Sequence, residues 1–389
     1  MSQLLESRWS ETKDALLEGL QGNKRTVMAT TLENTRKYLS ESATAGATSA
    51  GNVATLNRVI LPVIRRVMPT VIANELVGVQ PMTGPVGQIH TLRVRYSDTF
   101  SGSTGGSTTA GDEALSPFKI AEGYSGAASD KAATTAALEG RAGNRLNIQI
   151  LKQTVEAKTR KLSARWTFEA AQDAQAQQGI DIEAEIMAAL AQEITAEIDQ
   201  EVLGSLSSLA GTVLTYDQAA VSGTATFVGD EHAALAVQIN RVANLIAQRT
   251  RRGAGNWAVV SPTTLTLLQS ATTSAFARTT EGTFEAPTNT KFVGTLNSAM
   301  RVYVNGYATS DDVLVGYKGS SESDAAAFYC PYIPLMSSGV VLDPSTFEPV
   351  VSFMTRYGYV ELTNTASSLG NAADYLGKVA VTTANLKFA

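Results

Sequence analysis

Apolar residues recur at every fourth position between Asp181 and Gly204, and this is the most regular pattern in the chain. The positions are Ile182, Ile186, Leu190, Ile194, Ile198 and Val202. The spacing places them on one face of a long amphipathic helix. Asp181 is a suitable N-cap, and Gly204 is a predicted exit from the helix.

Downstream, helical and extended patterns alternate. A short helix is predicted at 167–178, before the long helix. After the long helix, another helix is predicted to begin at Asp230 and to end near Gly253. The apolar run Trp257–Val260 predicts a buried strand, and Ser261-Pro262 supplies an N-cap and first residue for the next helix. Strand patterns follow at 300–304 and 313–317, and again at 326–333, 350–355 and 375–381. The fold class is therefore α+β, with late strands returning to earlier elements.

Two strand-like runs enclose a long segment of small residues. The runs are Gln88–Tyr96 and Leu146–Val155, and residues 101–143 between them are mostly Gly, Ala, Ser and Thr. Compact domains seldom carry so long a loop without a functional reason. The pattern predicts an extended hairpin that reaches away from the body of the subunit.

The amino-terminal region divides by composition. Residues 1–41 have leucines at helical spacing among equal numbers of acids and bases, which predicts a neutral amphipathic helical segment. Residues 42–51 are all Ala, Gly, Ser or Thr, a composition typical of a flexible link. A processing site is expected at this boundary.

Charge is segregated in the middle of the chain. Residues 141–165 hold seven bases and one acid, whereas residues 181–201 hold seven acids and no base. Opposite charges of this kind can hold one surface against another, in the same chain or between chains. Two separately solvated faces would give the same counts.

Composition excludes several kinds of chemistry. The 389 residues carry a formal net charge of -5, which disfavours a protein built to grip a phosphate backbone. One cysteine, Cys330, and two distant histidines, His90 and His232, cannot form a zinc site or a disulfide framework. Gly253-Ala-Gly255 has the loose spacing of a dinucleotide loop but follows a helix and precedes a strand, the reverse of the required order. No cofactor, metal, membrane span or catalytic constellation is predicted.

A series of short motifs resembles the major capsid proteins of T-even-type tailed bacteriophages. The motifs are Gly78-Val-Gln-Pro-Met-Thr-Gly-Pro-Val-Gly-Gln88, Arg65-Arg66 with Pro69, Val155-Glu-Ala-Lys-Thr-Arg-Lys-Leu162, Glu169-Ala-Ala-Gln-Asp173, Gly253-Ala-Gly-Asn256, Arg301-Val-Tyr303, Val315-Gly-Tyr-Lys-Gly319, Pro331-Tyr332 and Thr355-Arg-Tyr-Gly358. They occur in the family's order from about residue 58 to 360. The segment 101–143 departs from the larger members, which carry a bulky insertion there.

The resemblance implies the Hong Kong 97 type capsid fold, divided into six parts. They are a leader at 1–41, an N-terminal arm at 42–86, an E-loop hairpin at 87–166, a peripheral domain with its spine helix at 167–232, an axial domain at 233–330, and C-terminal strands of the peripheral domain at 331–389.

The resemblance also implies two kinds of site. A phage prohead protease cuts after glutamate in a Leu-x-Glu context, and Leu39-Ser-Glu41 before Ser42 fits this better than Leu16-Leu-Glu18, because it lies at the composition boundary. The basic hairpin is expected to meet the acidic helix of a neighbouring subunit. The expected contact residues are Arg141, Arg145, Lys152, Lys158, Arg160, Lys161, Arg165, Glu183, Glu185, Glu193, Glu197 and Glu201.

The resulting expectation is a non-enzymatic shell protein that assembles with itself into hexameric and pentameric capsomers around double-stranded DNA. Scaffold, prohead protease, portal, and vertex or decoration proteins are the implied partners, and the virion and the host cytoplasm are the implied locations. An encapsulin-like nanocompartment shell is the alternative with the same fold. A cofactor-dependent enzyme is the alternative from a different class.

Overall fold

The computed structural model describes most of the chain. The described residues are 9, 13, 14, 17, 22–44, 71–101, 107–112, 114, 135–139, 145–178, 181–221, 228–250, 252–271, 276–278, 291–297, 299–362 and 372–386. The N-terminal Arg65-Arg66 motif, the link at 45–51 and most of the 101–143 segment lie outside these residues.

The helices follow the apolar periodicity. They are α1 (Asn23–Thr44), α2 (Ala73–Leu76), α3 (Thr135–Leu138), α4 (Phe168–Gln178), α5 (Ile182–Leu209), α6 (Gln218–Val221), α7 (Val228–Thr250) and α8 (Pro262–Ser270). Single 3-10 turns occur at Ala372–Asp374 and Thr383–Asn385.

Helix α5 begins where the sequence predicts and ends later. The carboxylate of Asp181 accepts a hydrogen bond from the Glu183 N–H at 3.1 Å, so the expected N-cap is confirmed. The expected exit at Gly204 is wrong, because the helix continues to Leu209. Leu206 is fully buried and lies four residues after Val202, so the apolar stripe continues through the glycine.

The strands are β1 (Gly78–Val79), β2 (Val86–Tyr96), β3 (Phe100–Ser101), β4 (Ser107–Thr108), β5 (Leu146–Glu156), β6 (Lys158–Arg165), β7 (Thr212–Tyr216), β8 (Trp257–Val260), β9 (Phe276–Arg278), β10 (Lys291–Leu296), β11 (Met300–Val304), β12 (Val313–Gly316), β13 (Ala327–Ser337), β14 (Val341–Leu342), β15 (Pro349–Glu361) and β16 (Leu376–Val381). The predicted mixture of helices and strands is therefore confirmed.

The first of two compact units comprises Met1–Gly87, Val155–Leu203 and Phe328–Val360. Its sheet has the order β1-β13-β15-β14, and β6 also pairs with β15. Strand β1 is parallel to β13, and the N–H groups of Gln80 and Met82 continue along it by donating to the Tyr329 and Pro331 carbonyls. The arm is thus held by a strand more than two hundred residues later in the chain.

The second unit comprises Gln88–Thr154, Gly204–Ala327 and Glu361–Ala389. Its main sheet has the order β7-β16-β12-β8-β11-β10-β9, and α7 and α8 pack on it. Leu235, Ile239, Val242 and Ile246 of α7 are buried in its core. Ser261 caps α8 as predicted, because its hydroxyl accepts from the Thr264 N–H at 3.2 Å.

Three of the expected parts divide between these units, and in the expected peripheral part 167–232 the residues from Gly204 onward, with β7 and α6, belong to the second unit. Strands β2 and β5 pair with each other and form the predicted hairpin, whereas β6, placed in the same 87–166 range, is antiparallel to β15. Likewise β13 and β15 belong to the first unit, but β16 pairs with β7 and β12 in the second. Local patterns identify these strands, but their partners are distant in sequence.

Candidate assembly surfaces

The expected cleavage site lies in a helix. Glu41 and Ser42 fall in the last turn of α1, which continues to Thr44, so the flexible link does not begin at Ser42 as expected. The final carbonyls of a helix have no intrahelical donor, and such ends open readily. A protease that binds Leu39-Ser-Glu41 as extended chain has to unwind the final six residues of the helix, 39–44.

The same helix is packed into the first unit. Val27, Met28, Thr31 and Leu32 are each at most 4% exposed. Positions 27, 28, 31 and 32 form one face at the helical period. Complete burial of an aliphatic side chain of this size stabilises a fold by about 1.5–3 kcal/mol. Helix α1 therefore contributes buried side chains to the first unit.

Polar contacts join the leader helix to the arm and to β13. The Asn34 amide Nδ2 donates to the Met82 carbonyl at 2.8 Å and to the Tyr332 carbonyl at 3.0 Å. Lys24 Nζ lies 2.6 Å from Glu75 Oε1 in α2. One buried amide thus satisfies two backbone acceptors that lie on separate segments. Sequence analysis did not single out Asn34, because its partners lie 48 and 298 positions away.

The predicted basic contact residues have different surroundings. Arg141 lies outside the described residues. Arg145 pairs with Asp98 at 3.4 Å across the hairpin, and its backbone N–H donates to the same carboxylate at 2.8 Å. This backbone hydrogen bond, with the guanidinium, holds the pKa of Asp98 below its ordinary value.

The remaining bases lie on β5 and β6. Lys152, Lys158 and Lys161 are exposed, and Arg165 is exposed with its guanidinium 3.6 Å from Glu348. Arg160 is the exception, with a side chain only 24% exposed. Alternate residues of a strand point to opposite faces, so Arg160 turns inward with Leu162 while Lys161 turns outward.

Arg160 joins β6, α5 and β15 within one chain. Its guanidinium pairs with Glu197 and Glu201, the latter at 2.5 Å, and Nε donates to the Tyr357 hydroxyl at 2.5 Å. Tyr357 in turn donates to Glu201. Charge counting left open whether the opposite charges meet in one chain or between chains. At Arg160, Glu197 and Glu201 they meet within the chain.

Electrostatics in this cluster follow from burial and hydrogen bonding. Burial lowers the pKa of Arg160, but its hydrogen bonds with Glu201 and Tyr357 outweigh that effect and raise the pKa above its ordinary value. Burial and the hydrogen bond to Glu201 raise the pKa of Tyr357. The cluster therefore keeps one cation and one neutral phenol beside its carboxylates near neutral pH.

The predicted acidic contact residues are mainly at the surface of α5. Glu185 and Glu193 are exposed, Glu183 is half-buried beside the Asp181 cap, and Glu197 and Glu201 pair with Arg160. The exposed members are available to a second chain.

Asp199 on the same helix differs from these glutamates. It is 1% exposed, its Oδ1 accepts from the Ile72 N–H at 2.9 Å, and its Oδ2 has no partner among the described residues. Burial raises the pKa of Asp199 to about 7, although the hydrogen bond from Ile72 opposes the shift. An acidic residue counted only as part of a charge run therefore anchors the start of α2.

The hairpin carries an exposed apolar surface, which we call the hairpin apolar surface. Its residues are Leu92, Leu146, Ile148 and Ile150, each 53–66% exposed. Leu146, Ile148 and Ile150 alternate along β5 and so share one face. Patches of this kind on otherwise polar proteins mark interaction sites.

The glycine loop lies between α7 and β8, as predicted, and its glycines allow close packing in the second unit. A Cβ on Gly253 would lie 2.5 Å from the Tyr317 ring, and one on Gly255 would lie 2.9 Å from Val315. Asn256 donates to the Lys318 carbonyl at 2.6 Å and accepts from the Lys318 N–H at 3.0 Å. The side chain thereby imitates a strand partner.

The other candidate residues have structural surroundings. Cys330 is buried, and burial raises the pKa of its thiol to about 11. His232 is buried with Nδ1 2.5 Å from the Ser270 hydroxyl. Across the described ranges, no cluster of three or more His, Cys, Asp or Glu side chains is suited to a metal ion. Among the helices described, none has the length and apolarity needed to cross a membrane.

Most of the chain is similar to known proteins. Residues 53–381 match the family described as Major capsid protein Gp23. The major capsid protein of Vibrio phage KVP40 is 29% identical over 415 residues, covering 84% of this chain and 80% of that protein. The corresponding protein of Enterobacteria phage T4 is 30% identical over 411 residues, covering 82% and 78%. A solved structure from Microbacterium phage Oxtober96 aligns over 80% of this chain and 90% of that chain at 11% identity, with a TM-score of 0.48.

These matches define the class as major capsid proteins of tailed bacteriophages, with the α+β fold of Hong Kong 97 type. Within that class, the chain belongs to the Gp23 family. It is therefore a structural protein of the virion capsid, and it functions by associating with further copies of itself.

Proposed function

We propose that copies of this chain assemble, as hexameric and pentameric capsomers, into an icosahedral or prolate head shell around a double-stranded DNA genome. The hairpin apolar surface carries the proposal. Two-stranded sheets are marginal by themselves, and large aliphatic side chains in water add nothing to their stability. A second copy that covers Ile148 and Ile150 would bury this surface and order the hairpin.

The test is electron microscopy of the purified chain beside a variant with Ile148→Ser and Ile150→Ser. We expect shells, tubes or capsomers from the parent and unassembled subunits from the variant. The matched control carries Asn147→Ser and Gln149→Ser, which change exposed polar residues of the same strand. Equal assembly of parent and serine variant would overturn the proposal, and so would a monodisperse monomeric parent. Particles from infected cells that never contain DNA would favour the nanocompartment.

Maturation is proposed to remove residues 1–41 by a cut between Glu41 and Ser42. Leu39-Ser-Glu41 supports this, as does the place of Glu41 and Ser42 near the carboxyl end of α1. The family match begins at residue 53, so the proposed leader lies outside the shared region. Intact-mass analysis of virion protein is expected to give a chain starting at Ser42. A mature chain starting at Met1, Ser2 or Gly19 would contradict the assignment.

Charge contacts between subunits are proposed for the exposed bases of β5 and β6 and the exposed acids of α5. Arg160, Glu197 and Glu201 are already paired within the chain, as is Arg165 with Glu348, so these residues are left out of the proposed contact. Exposed ion pairs contribute only about 0–1 kcal/mol each, and repetition over many copies makes their sum matter.

Reversing Lys158 and Lys161 to glutamate is expected to impair shell formation at low salt, and adding Glu193→Lys is expected to restore part of it. Far-ultraviolet circular dichroism checks that each subunit is folded. If the double variant assembles fully, or if Glu193→Lys restores nothing, these charges do not meet between subunits and are solvated separately.

The remaining assignments follow from the family. The first unit is proposed as the peripheral domain with α5 as spine helix, and the second unit's seven-stranded sheet as the axial domain. Scaffold, prohead protease, portal, and vertex or decoration proteins are the proposed partners, and assembly is placed in the host cytoplasm. Packaged DNA is proposed to be enclosed without sequence specificity, consistent with the net charge of -5.

A further inference from the structure

We propose that the leader stays bound to the first unit as a separate peptide after the chain is cut, so that its release is a second step distinct from proteolysis. This inference rests on the proposed cut after Glu41. The contacts of α1 with the rest of the unit carry it.

The buried face of α1 lies well before the cut. Val27, Met28 and Leu32 are 4%, 1% and 0% exposed, and none of them is within eight residues of Glu41. Hydrolysis of one peptide bond in the last turn changes none of these contacts. The free energy that holds the helix in place therefore survives the cut, while the covalent connection does not.

Asn34 provides the buried polar contact between α1 and the rest of the first unit, and we call it the latch. Its amide is 7% exposed and donates to the carbonyls of Met82 and Tyr332. When the helix leaves, both acceptors lose their donor at once, and a buried acceptor without a donor is unfavourable until water reaches it. Release consequently requires water or a replacement donor to enter between the arm and β13.

The ion pair between Lys24 and Glu75 adds a second attachment, on α2. Its side chains are 41% and 31% exposed, so salt weakens it far more than it weakens the buried face. Lys24 lies near the start of α1, and Leu32 and Asn34 lie further along it. We therefore expect added salt to weaken the contact at the amino-terminal end of α1, while Leu32 and Asn34 continue to hold the peptide.

The experiment uses the full chain with the recognition sequence of a site-specific protease inserted between Glu41 and Ser42. After complete cutting, the sample is passed over a size-exclusion column, and intact masses are measured in each fraction. We expect the leader peptide to elute with the large fragment, whether that fragment is assembled or not. Immediate separation of the two would overturn the proposal.

Asn34→Ala and Leu32→Ala are expected to accelerate leader release by about tenfold or more, since each removes buried interactions of α1. Thr26→Ala on the exposed face of the same helix is the matched control and is expected to leave the rate unchanged. Circular dichroism of each uncut variant checks that it is folded. Equal release rates for Asn34→Ala and Thr26→Ala would show that Asn34 is not a latch.

The two proposals fail separately. A virion protein that starts at another residue would overturn the proposed cleavage after Glu41. The engineered protease site would still test whether the leader peptide is retained. Conversely, a virion protein that starts at Ser42, combined with immediate loss of the engineered peptide, would keep the cleavage site and overturn only the second step.

Discussion

Strands β8 and β5 contain similar aliphatic residues in opposite surroundings. All four residues of β8, Trp257–Val260, are buried between neighbouring strands and helices of the second unit. In β5, Leu146, Ile148 and Ile150 are each more than half exposed. β8 lies inside a seven-stranded sheet, whereas among the described strands β5 pairs with β2 alone.

The difference separates two uses of apolar surface. Side chains such as Ile239, which contact the sheet, stabilise the subunit by themselves. Side chains such as Ile148 stabilise nothing until another surface covers them. Stability measurements on the subunit should therefore respond to the first set and assembly measurements to the second.

The largest expected effect is in the second unit's core. Ile239→Ala should lower the free energy of unfolding by about 2–5 kcal/mol, because it leaves a cavity under the sheet. Val237→Ala on the same helix is the control, since that side chain is 64% exposed and should change stability by less than about 0.5 kcal/mol. Urea denaturation measures both. Similar losses from the two variants would contradict the assignment of α7's buried face.

The Arg160 cluster should give an intermediate effect. Arg160→Met leaves Glu197 and Glu201 close together without their cation, and we expect a loss of about 1–2 kcal/mol. The loss is limited because both carboxylates are partly exposed. Lys161→Met on the opposite face of β6 is the matched control. If both variants unfold at the same urea concentration, the cluster contributes nothing to the subunit.

Asp199 predicts a pH dependence of subunit stability. Its folded pKa of about 7 lies above the ordinary value of 3.8, so the folded chain binds more protons between these pH values. Stability from this group is complete below pH 3.8 and is lost as pH rises to 7, with a slope of at most about 1.4 kcal/mol per pH unit.

Asp199→Asn keeps an acceptor for the Ile72 N–H and removes the titration. We expect this variant to be more stable than the parent at pH 8 and to lose most of the slope between pH 5 and 7. The measurement is urea denaturation across that range, and an unchanged slope would show that Asp199 is not its source.

The smallest effect on stability is expected in the hairpin. Ile148→Ser with Ile150→Ser should change the free energy of unfolding of the unassembled subunit by less than about 0.5 kcal/mol, because both side chains already contact water. Urea denaturation below the assembly concentration tests this. A loss comparable to that of Ile239→Ala would mean that the hairpin apolar surface is covered within the subunit.

Local patterns predict the elements whose causes are local. The four-residue periodicity of α5 and the Ser261 cap each depend on neighbours a few residues away, and the structure confirms them. The continuation of α5 past Gly204 was not predicted. A single glycine in a helix costs only about 1 kcal/mol, and burial of the continuous apolar face of the helix stabilises it by more than that.

Contacts between distant segments could not be predicted in this way. Nothing in the run 158–165 indicates that β6 pairs with β15, and the inward position of Arg160 follows only from that pairing. Asn34 and Asp199 are similar, because a polar residue in a helical pattern does not reveal a backbone partner far along the chain. The charge segregation was visible, but only the fold shows which part of it is satisfied within one chain.

The position of β16 has a consequence for the timing of synthesis. This strand, Leu376–Val381, lies between β7 and β12, so β7 cannot join the rest of the second unit's sheet until residues 376–381 have been synthesised. Domains generally fold as units during synthesis. The second unit is therefore expected to complete its sheet only after the ribosome has passed Val381.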